Sequence, residues 1–68
     1  MKVKVLRLGH SANEVEIPNG STVEEALAKA GVPSQGHSLS VNGLGAGAST
    51  GLAEMDCIVV VPKIEGGI

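Results

Sequence analysis

No phenylalanine, tyrosine or tryptophan occurs in this chain of 68 residues. Its core must be built from Val, Leu, Ile, Ala and Met, without the rings that anchor most interfaces and small-molecule pockets. A chain this short forms a single domain over residues 1–68, and about 0.05–0.15 kcal/mol per residue sets its stability near ~3–10 kcal/mol. Little volume is left for a deep catalytic cleft. Basic excess is also missing. The formal net charge is −2, and the basic residues Lys2, Lys4, Arg7, Lys29 and Lys63 are scattered apart from the Lys2/Lys4 pair. With neither a basic stripe nor stacking aromatics, nucleic acid is excluded as a partner class. Cys57 is the one cysteine. It has no partner for an internal disulfide, which fits a reducing cytoplasm. No apolar run reaches membrane-spanning length, and Met1–Lys4 carries no secretory apolar segment, so a cytoplasmic protein without a membrane partner is expected.

What is present alternates. Val3 and Val5 alternate with Lys2 and Lys4, which predicts a strand over Lys2–Leu8. Leu6 and Leu8 fall on the other parity, which calls for two buried faces or a bulge. After a turn at Gly9–Ala12, Val15 and Ile17 alternate with Glu14 and Glu16 in a second strand, Asn13–Ile17. The short link between them predicts an antiparallel hairpin.

Pro18-Asn19-Gly20 ends that strand, and a helix follows. Ser21 with Glu24 matches a capping box, and Glu24 and Glu25 suit the positive end of the helix dipole. As neighbours on a helix they do not face each other, so they are no catalytic carboxylate pair. Val23, Ala26, Leu27 and Ala30 form one apolar stripe, Gly31 is the left-handed terminator, and Pro33 prevents continuation.

Ser34–Ser38 reads as loop, Leu39–Val41 as a short strand, and Asn42-Gly43 as a tight turn. Gly43–Gly51, rich in Gly, Ala and Ser, is expected to be a mobile surface loop. Its Gly43-Leu44-Gly45-Ala46-Gly47-Ala48 run loosely matches a dinucleotide turn, but no helix pattern follows to hold a pyrophosphate. Leu52–Asp56 is a turn. Cys57–Val61 is a continuous β-branched run that reads as a central strand covered on both faces and ended by Pro62. Cys57 is expected to pack in the core as an inert thiol. His10 and His37 fall in loops without a third ligand at suitable spacing, so no metal site is expected. Residues 63–68 form a tail that is expected to be flexible and accessible.

Strand, strand, helix, short strand, loop and buried strand together point to an α+β roll. We expect a mixed sheet of about four strands with one main helix across one face. This order resembles the ubiquitin-like β-grasp proteins, and the ending is similar to the sulfur carriers ThiS and MoaD. The residues that carry the resemblance are Val41-Asn42-Gly43, Leu52, Asp56, Cys57–Val61, Pro62 and Gly66-Gly67. It spans essentially the whole chain, and its weight lies in the order of the motifs. Two positions depart from the pattern. Met55 stands where the family usually has a glycine, and Ile68 follows Gly67, where the carriers end.

The resemblance implies a carrier that supplies no acid, base or nucleophile of its own. An E1-like activating enzyme, spending ATP, would adenylate the Gly67 carboxylate once a protease had removed Ile68. A sulfur donor would then form a thiocarboxylate, or a thiol would take the acyl group for conjugation. The downstream partner would be a synthase or a target protein. Gly66 and Gly67 lack side chains and can thread a narrow channel. No cofactor is expected to bind the carrier itself. Leu6, Leu8, Val41, Pro62 and Lys63 are the expected partner-binding residues, on the exposed sheet face and around the tail. The competing expectation is a β-grasp binding or assembly module without tail chemistry, which Ile68 favours. An autonomous enzyme is disfavoured by the short chain and the absence of a catalytic constellation.

Overall fold

The computed structural model describes residues 1–63; the expected tail therefore falls outside the described residues from position 64 onward. Strand β1 (Lys2–Arg7) is followed by β2 (Asn13–Glu16), helix α1 (Val23–Ala30), β3 (His37–Val41), β4 (Leu44–Ala46) and β5 (Cys57–Pro62). They form one five-stranded sheet in the order β2-β1-β5-β3-β4. Strands β1 and β5 run parallel, and every other pairing is antiparallel.

The β1–β2 hairpin stands in the expected register, with Val3 opposite Val15 and Lys4 opposite Glu14. β1 needs no bulge. Val3 and Val5 are fully buried beneath the helix, while Leu6 is half-buried on the opposite face and Leu8 lies beyond the strand, exposed. β5 is the middle strand, as its apolar run predicts, but it is not sealed on both sides. Ile58 and Val60 are completely buried, whereas Cys57, Val59 and Val61 are half-buried on the face away from α1. The thiol of Cys57 therefore lies outside the core. The strand stops at Pro62 but includes it: Pro62 pairs with His37, where a proline that donates no hydrogen bond is tolerated at a strand terminus. Lys63 is tied to the sheet as well, its N–H donating to the Gly36 carbonyl at 2.9 Å.

The helix begins one residue later than Ser21-Glu24 implied. Thr22 is the N-cap, in an extended conformation, and its side chain and that of Glu25 bond reciprocally to each other's backbone N–H. Ser21 is displaced from the cap because its hydroxyl donates to the Pro18 carbonyl at 2.7 Å, and Thr22 forms a bridge with Gly51. Gly31, at φ 73°, ends the helix as expected.

The largest departure is the glycine-rich segment. Leu44–Ala46 pairs with β3 as a fifth strand, joined by the turn in which Asn42 (φ 52°) and Gly43 (φ 86°) both take the positive φ of a two-residue hairpin. The rest of the segment caps α1: the Val23 and Glu24 N–H groups donate to the carbonyls of Thr50 and Ala48, each at 2.9 Å. Its carbonyls thereby satisfy donors that the helix itself leaves unpaired. The expected mobile loop is thus a working part of the fold. β3 also starts two residues earlier than Leu39, because His37 and Ser38 find partners in Pro62 and Val61.

Met55 occupies a left-handed conformation, φ 68°, and its side chain is exposed. This explains why glycine suits the position. A side chain there costs about 1–2 kcal/mol, partly offset by the greater unfolded-state freedom of glycine. Met55→Gly is expected to raise unfolding stability by about 1 kcal/mol, measured as a higher urea midpoint at unchanged m-value.

Candidate functional site

The pleat of β1 and β5 sorts their side chains into two sets. Val3, Val5, Ile58 and Val60 face α1 and belong to the core, with Leu27, Val23 and Ala26 from the helix. Lys4, Leu6, Cys57 and Val59 fall on the open face, where the register places Lys4 beside Cys57 and Leu6 beside Val59. β3 contributes Ser38 opposite Val61 and Ser40 opposite Val59. β2 contributes Glu14 and Glu16, opposite Lys4 and Lys2. The open face is therefore a short aliphatic band, Leu6, Val59 and Val61, flanked by alternating charges on one side and serines on the other.

That band leads to the point where the chain leaves the sheet. β1 and β5 run parallel, so Leu8 emerges at the same end as Pro62 and Lys63. The Leu8 N–H donates to the Val60 carbonyl at 3.1 Å and holds the exposed leucine there. Of the expected partner-binding residues, the fold gathers Leu6, Leu8, Pro62 and Lys63 along one end of the molecule. It does not bring Val41 to them. Val41 pairs with Ile58, packs at the margin of the core on the helix side, and lies at the opposite end of β3. The reason is parity: β3 begins at His37, so its odd-numbered residues follow Ile58 and Val60 toward α1. Val59 and Val61 belong to the band and were hidden within the uniformly apolar run of β5, where no alternation reveals which face each residue takes. Gly66, Gly67 and Ile68 lie outside the described residues.

The opposite end of the sheet is a hydrogen-bonded clamp. Asn42 donates from Nδ2 to Asp56 Oδ1 at 2.9 Å and accepts at Oδ1 from the Cys57 N–H at 3.0 Å, while Asp56 Oδ2 accepts from the Ala53 N–H. Asn42 and Asp56, two of the residues that carry the resemblance, thus have an architectural role: they fix the hairpin to the start of β5. Among the described residues no cluster of three or more His, Cys, Asp or Glu is placed to hold a metal ion. His10 is exposed, and His37 lies within 2.8 Å of the Gln35 carbonyl through Nδ1. The two histidines stand on separate elements, in the β1–β2 turn and at the start of β3.

No protein-family model matches the sequence, and no curated protein matches it. Solved structures do. SAMP1 from Haloferax volcanii superposes with a TM-score of 0.78 at 17% identity, covering 98% of this chain and 100% of its own. An archaeal ubiquitin from Caldiarchaeum subterraneum superposes with a TM-score of 0.68 at 23% identity, covering 98% of each chain. A further structure, of a ubiquitin-like protein from the same archaeon, gives 0.58 at 25% identity over 97% of this chain and 100% of that one. The fold is the ubiquitin-like β-grasp. It carries five strands where about four were expected, and the additional one is β4, drawn from the segment read as loop. At these identities the likeness speaks for architecture, and it extends over nearly the whole chain.

The two faces of β5 differ energetically. Ile58→Ala is expected to cost about 2–5 kcal/mol, a large share of the total stability of so small a domain. Val59→Ala, one residue away on the open face, is expected to cost less than about 1 kcal/mol. Urea titration of the two variants reads the difference directly.

Proposed function

We propose that this protein is a ubiquitin-like carrier that acts through the Gly67 carboxylate. The observation that carries the reading is the pairing of the β-grasp fold with a Gly66-Gly67 sequence placed shortly after its central strand. β5 is the most enclosed strand of the sheet, and the Lys63–Gly36 hydrogen bond anchors the chain immediately before the tail. A partner that grips the globular part thereby knows where the diglycine begins.

The chemistry proceeds in three steps, each supplied by a partner. Hydrolysis of the Gly67–Ile68 peptide bond frees the Gly67 carboxylate. That carboxylate attacks the α-phosphorus of ATP in an E1-like enzyme, and pyrophosphate leaves. A hydrosulfide-equivalent donor then attacks the acyl carbon and displaces AMP, leaving a thiocarboxylate for a downstream synthase. In a conjugating system a thiol displaces AMP and passes the acyl group to an amine of a target protein. The carrier contributes a side-chain-free substrate that fits a narrow channel and an aliphatic docking band. Leu6, Leu8, Val59 and Val61, with Pro62 and Lys63 at the tail root, form the partner surface. Extended capture of the tail through main-chain hydrogen bonds completes recognition.

Ile68 favours a second reading, a binding module that uses the same aliphatic band and carries out no tail chemistry. Intact-mass measurement on the protein recovered from its native cell distinguishes the two. The carrier reading expects a form ending at Gly67, including a fraction with sulfur in place of one terminal oxygen. A homogeneous form that retains Ile68 and bears no adduct supports the binding module and overturns the carrier. With the activating enzyme in hand, Gly67→Ala on a chain ending at that position is expected to slow adenylation by about 100-fold, since small misplacements at a reacting centre have effects of that size. Pyrophosphate release measures it.

A further inference from the structure

A concavity lies at the edge of the sheet, beside the first half of β3. It is a depression largely open to solvent, of about 790 Å³, and its polar lining comprises Ser34, Gln35, His37, Ser38, Thr50 and Lys63. The rest of its lining is the small-residue stretch Gly45–Ala48 and Leu39. Among the described residues no carboxylate lines it, although the chain as a whole is acidic. The described acids lie elsewhere: Glu14 and Glu16 on β2, Glu24 and Glu25 in the first turn of α1, and Glu54 and Asp56 in the turn before β5.

The cleft exists because β4 is shorter than the strand it pairs with. β4 stops at Ala46, opposite Leu39, and leaves His37 and Ser38 without a neighbour on that side. The hydrogen bonds from the Lys63 N–H to the Gly36 carbonyl and from the Asn42 N–H to the Cys57 carbonyl fix the alternation on the β5 side. Even-numbered residues of β3 bond to β5, and odd-numbered ones point toward β4. Leu39 and Val41 meet Ala46 and Leu44 there. Among the described residues His37 meets no strand on that side: its N–H donates to the Ser34 carbonyl at 3.3 Å, and the alternation turns its carbonyl to the same side, away from β5. The cleft thus joins a main-chain acceptor that no described residue takes, a wall of small residues, hydroxyl and amide groups, and one ammonium.

We propose that this cleft binds an extended segment of a partner protein that carries a carboxylate side chain. The segment continues the line of β4, donates a backbone N–H to the His37 carbonyl, and places its carboxylate at the Lys63 ammonium within reach of the Ser34 and Thr50 hydroxyls. The other edge of the sheet is closed to such a segment. On β2 the outward-pointing backbone groups belong to Glu14 and Glu16, whose charges repel an acidic strand and guard the edge. The aliphatic band Leu6, Val59 and Val61 lies outside this cleft, and Lys63 is the residue common to the two surfaces. The inference does not depend on chemistry at Gly67, and its test involves no activating enzyme.

The test is a titration of the ¹⁵N-labelled full chain with the capped peptide acetyl-Ala-Asp-Ala-Asp-Ala-amide, with its Asn-for-Asp counterpart as control. Saturable shifts of the Ser34–Leu39 and Gly45–Thr50 amides are expected, with the Asn peptide about threefold to fivefold weaker, the scale of one exposed ion pair. Lys63→Gln is expected to abolish the difference between the peptides while leaving the rest of the spectrum in place. Absence of saturable shifts, equal binding of the two peptides, or shifts confined to the open face overturns the proposal. Displacement of the peptide by inorganic phosphate with the same shift pattern also overturns it, by showing a simple oxyanion site without strand recognition.

Discussion

The burial of Leu27 with Val3, Val5, Ile58 and Val60 is the packing on which the rest of this molecule depends. These side chains are at or near zero exposure, and no aromatic ring is available to share the work. Aliphatic side chains of this size each contribute roughly 1.5–3 kcal/mol on burial, and so few of them leave a domain this small no margin for a misplaced strand. The requirement fixes the parity of β1 and β5 together. Once Val5 and Ile58 face the helix, Leu6 and Val59 must face away. A slip of one residue would expose the core set and bury lysine.

Much of the functional geometry follows from that parity. The parallel pairing of β1 and β5 brings Leu8 to the same end as Pro62 and Lys63, so the aliphatic band and the tail root coincide. Nothing about the band is needed for folding to the extent that Ile58 and Val60 are needed. It is the part of the strand that the core does not claim, and it is therefore available to a partner. The uncharged, small-residue segment Gly43–Gly51 has a comparable double use. Its first part extends the sheet and its last part satisfies the backbone donors at the start of α1. Because it turns from one task to the other at Ala46, it leaves the cleft beside His37.

Several polar side chains of the described residues are engaged in architecture. Asn42 and Asp56 are occupied in holding the β3–β4 hairpin to β5, and Glu25 is occupied in capping. The charged side chains of β1 and β2 are disposed as cross-strand neighbours of opposite sign. What is left over for recognition is surface shape, the aliphatic band, and the position at which the chain leaves the sheet.

The sequence alone was sufficient for the α+β class, the order of the principal elements, the apolar stripe of α1, the Gly31 stop, the Asn42-Gly43 hairpin turn and the central place of β5. Each is a local property, set by side-chain periodicity or by backbone conformations that few residues adopt. Tertiary structure decided what local rules leave degenerate. A run such as Cys57–Val61 has no alternation, so only its neighbours determine that Ile58 and Val60 are covered while Cys57, Val59 and Val61 are half open. Val41 carries no mark of its face until β3 is paired. Leu44–Ala46 has too little intrinsic preference to declare itself a strand, and it becomes one because Val41 and Leu39 present an edge. Ser21 and Thr22 are nearly equivalent caps by type; the Pro18 carbonyl takes the first, and the helix starts at the second. In each case the deciding hydrogen bond or contact joins residues distant in sequence or competes with an alternative of almost equal local energy.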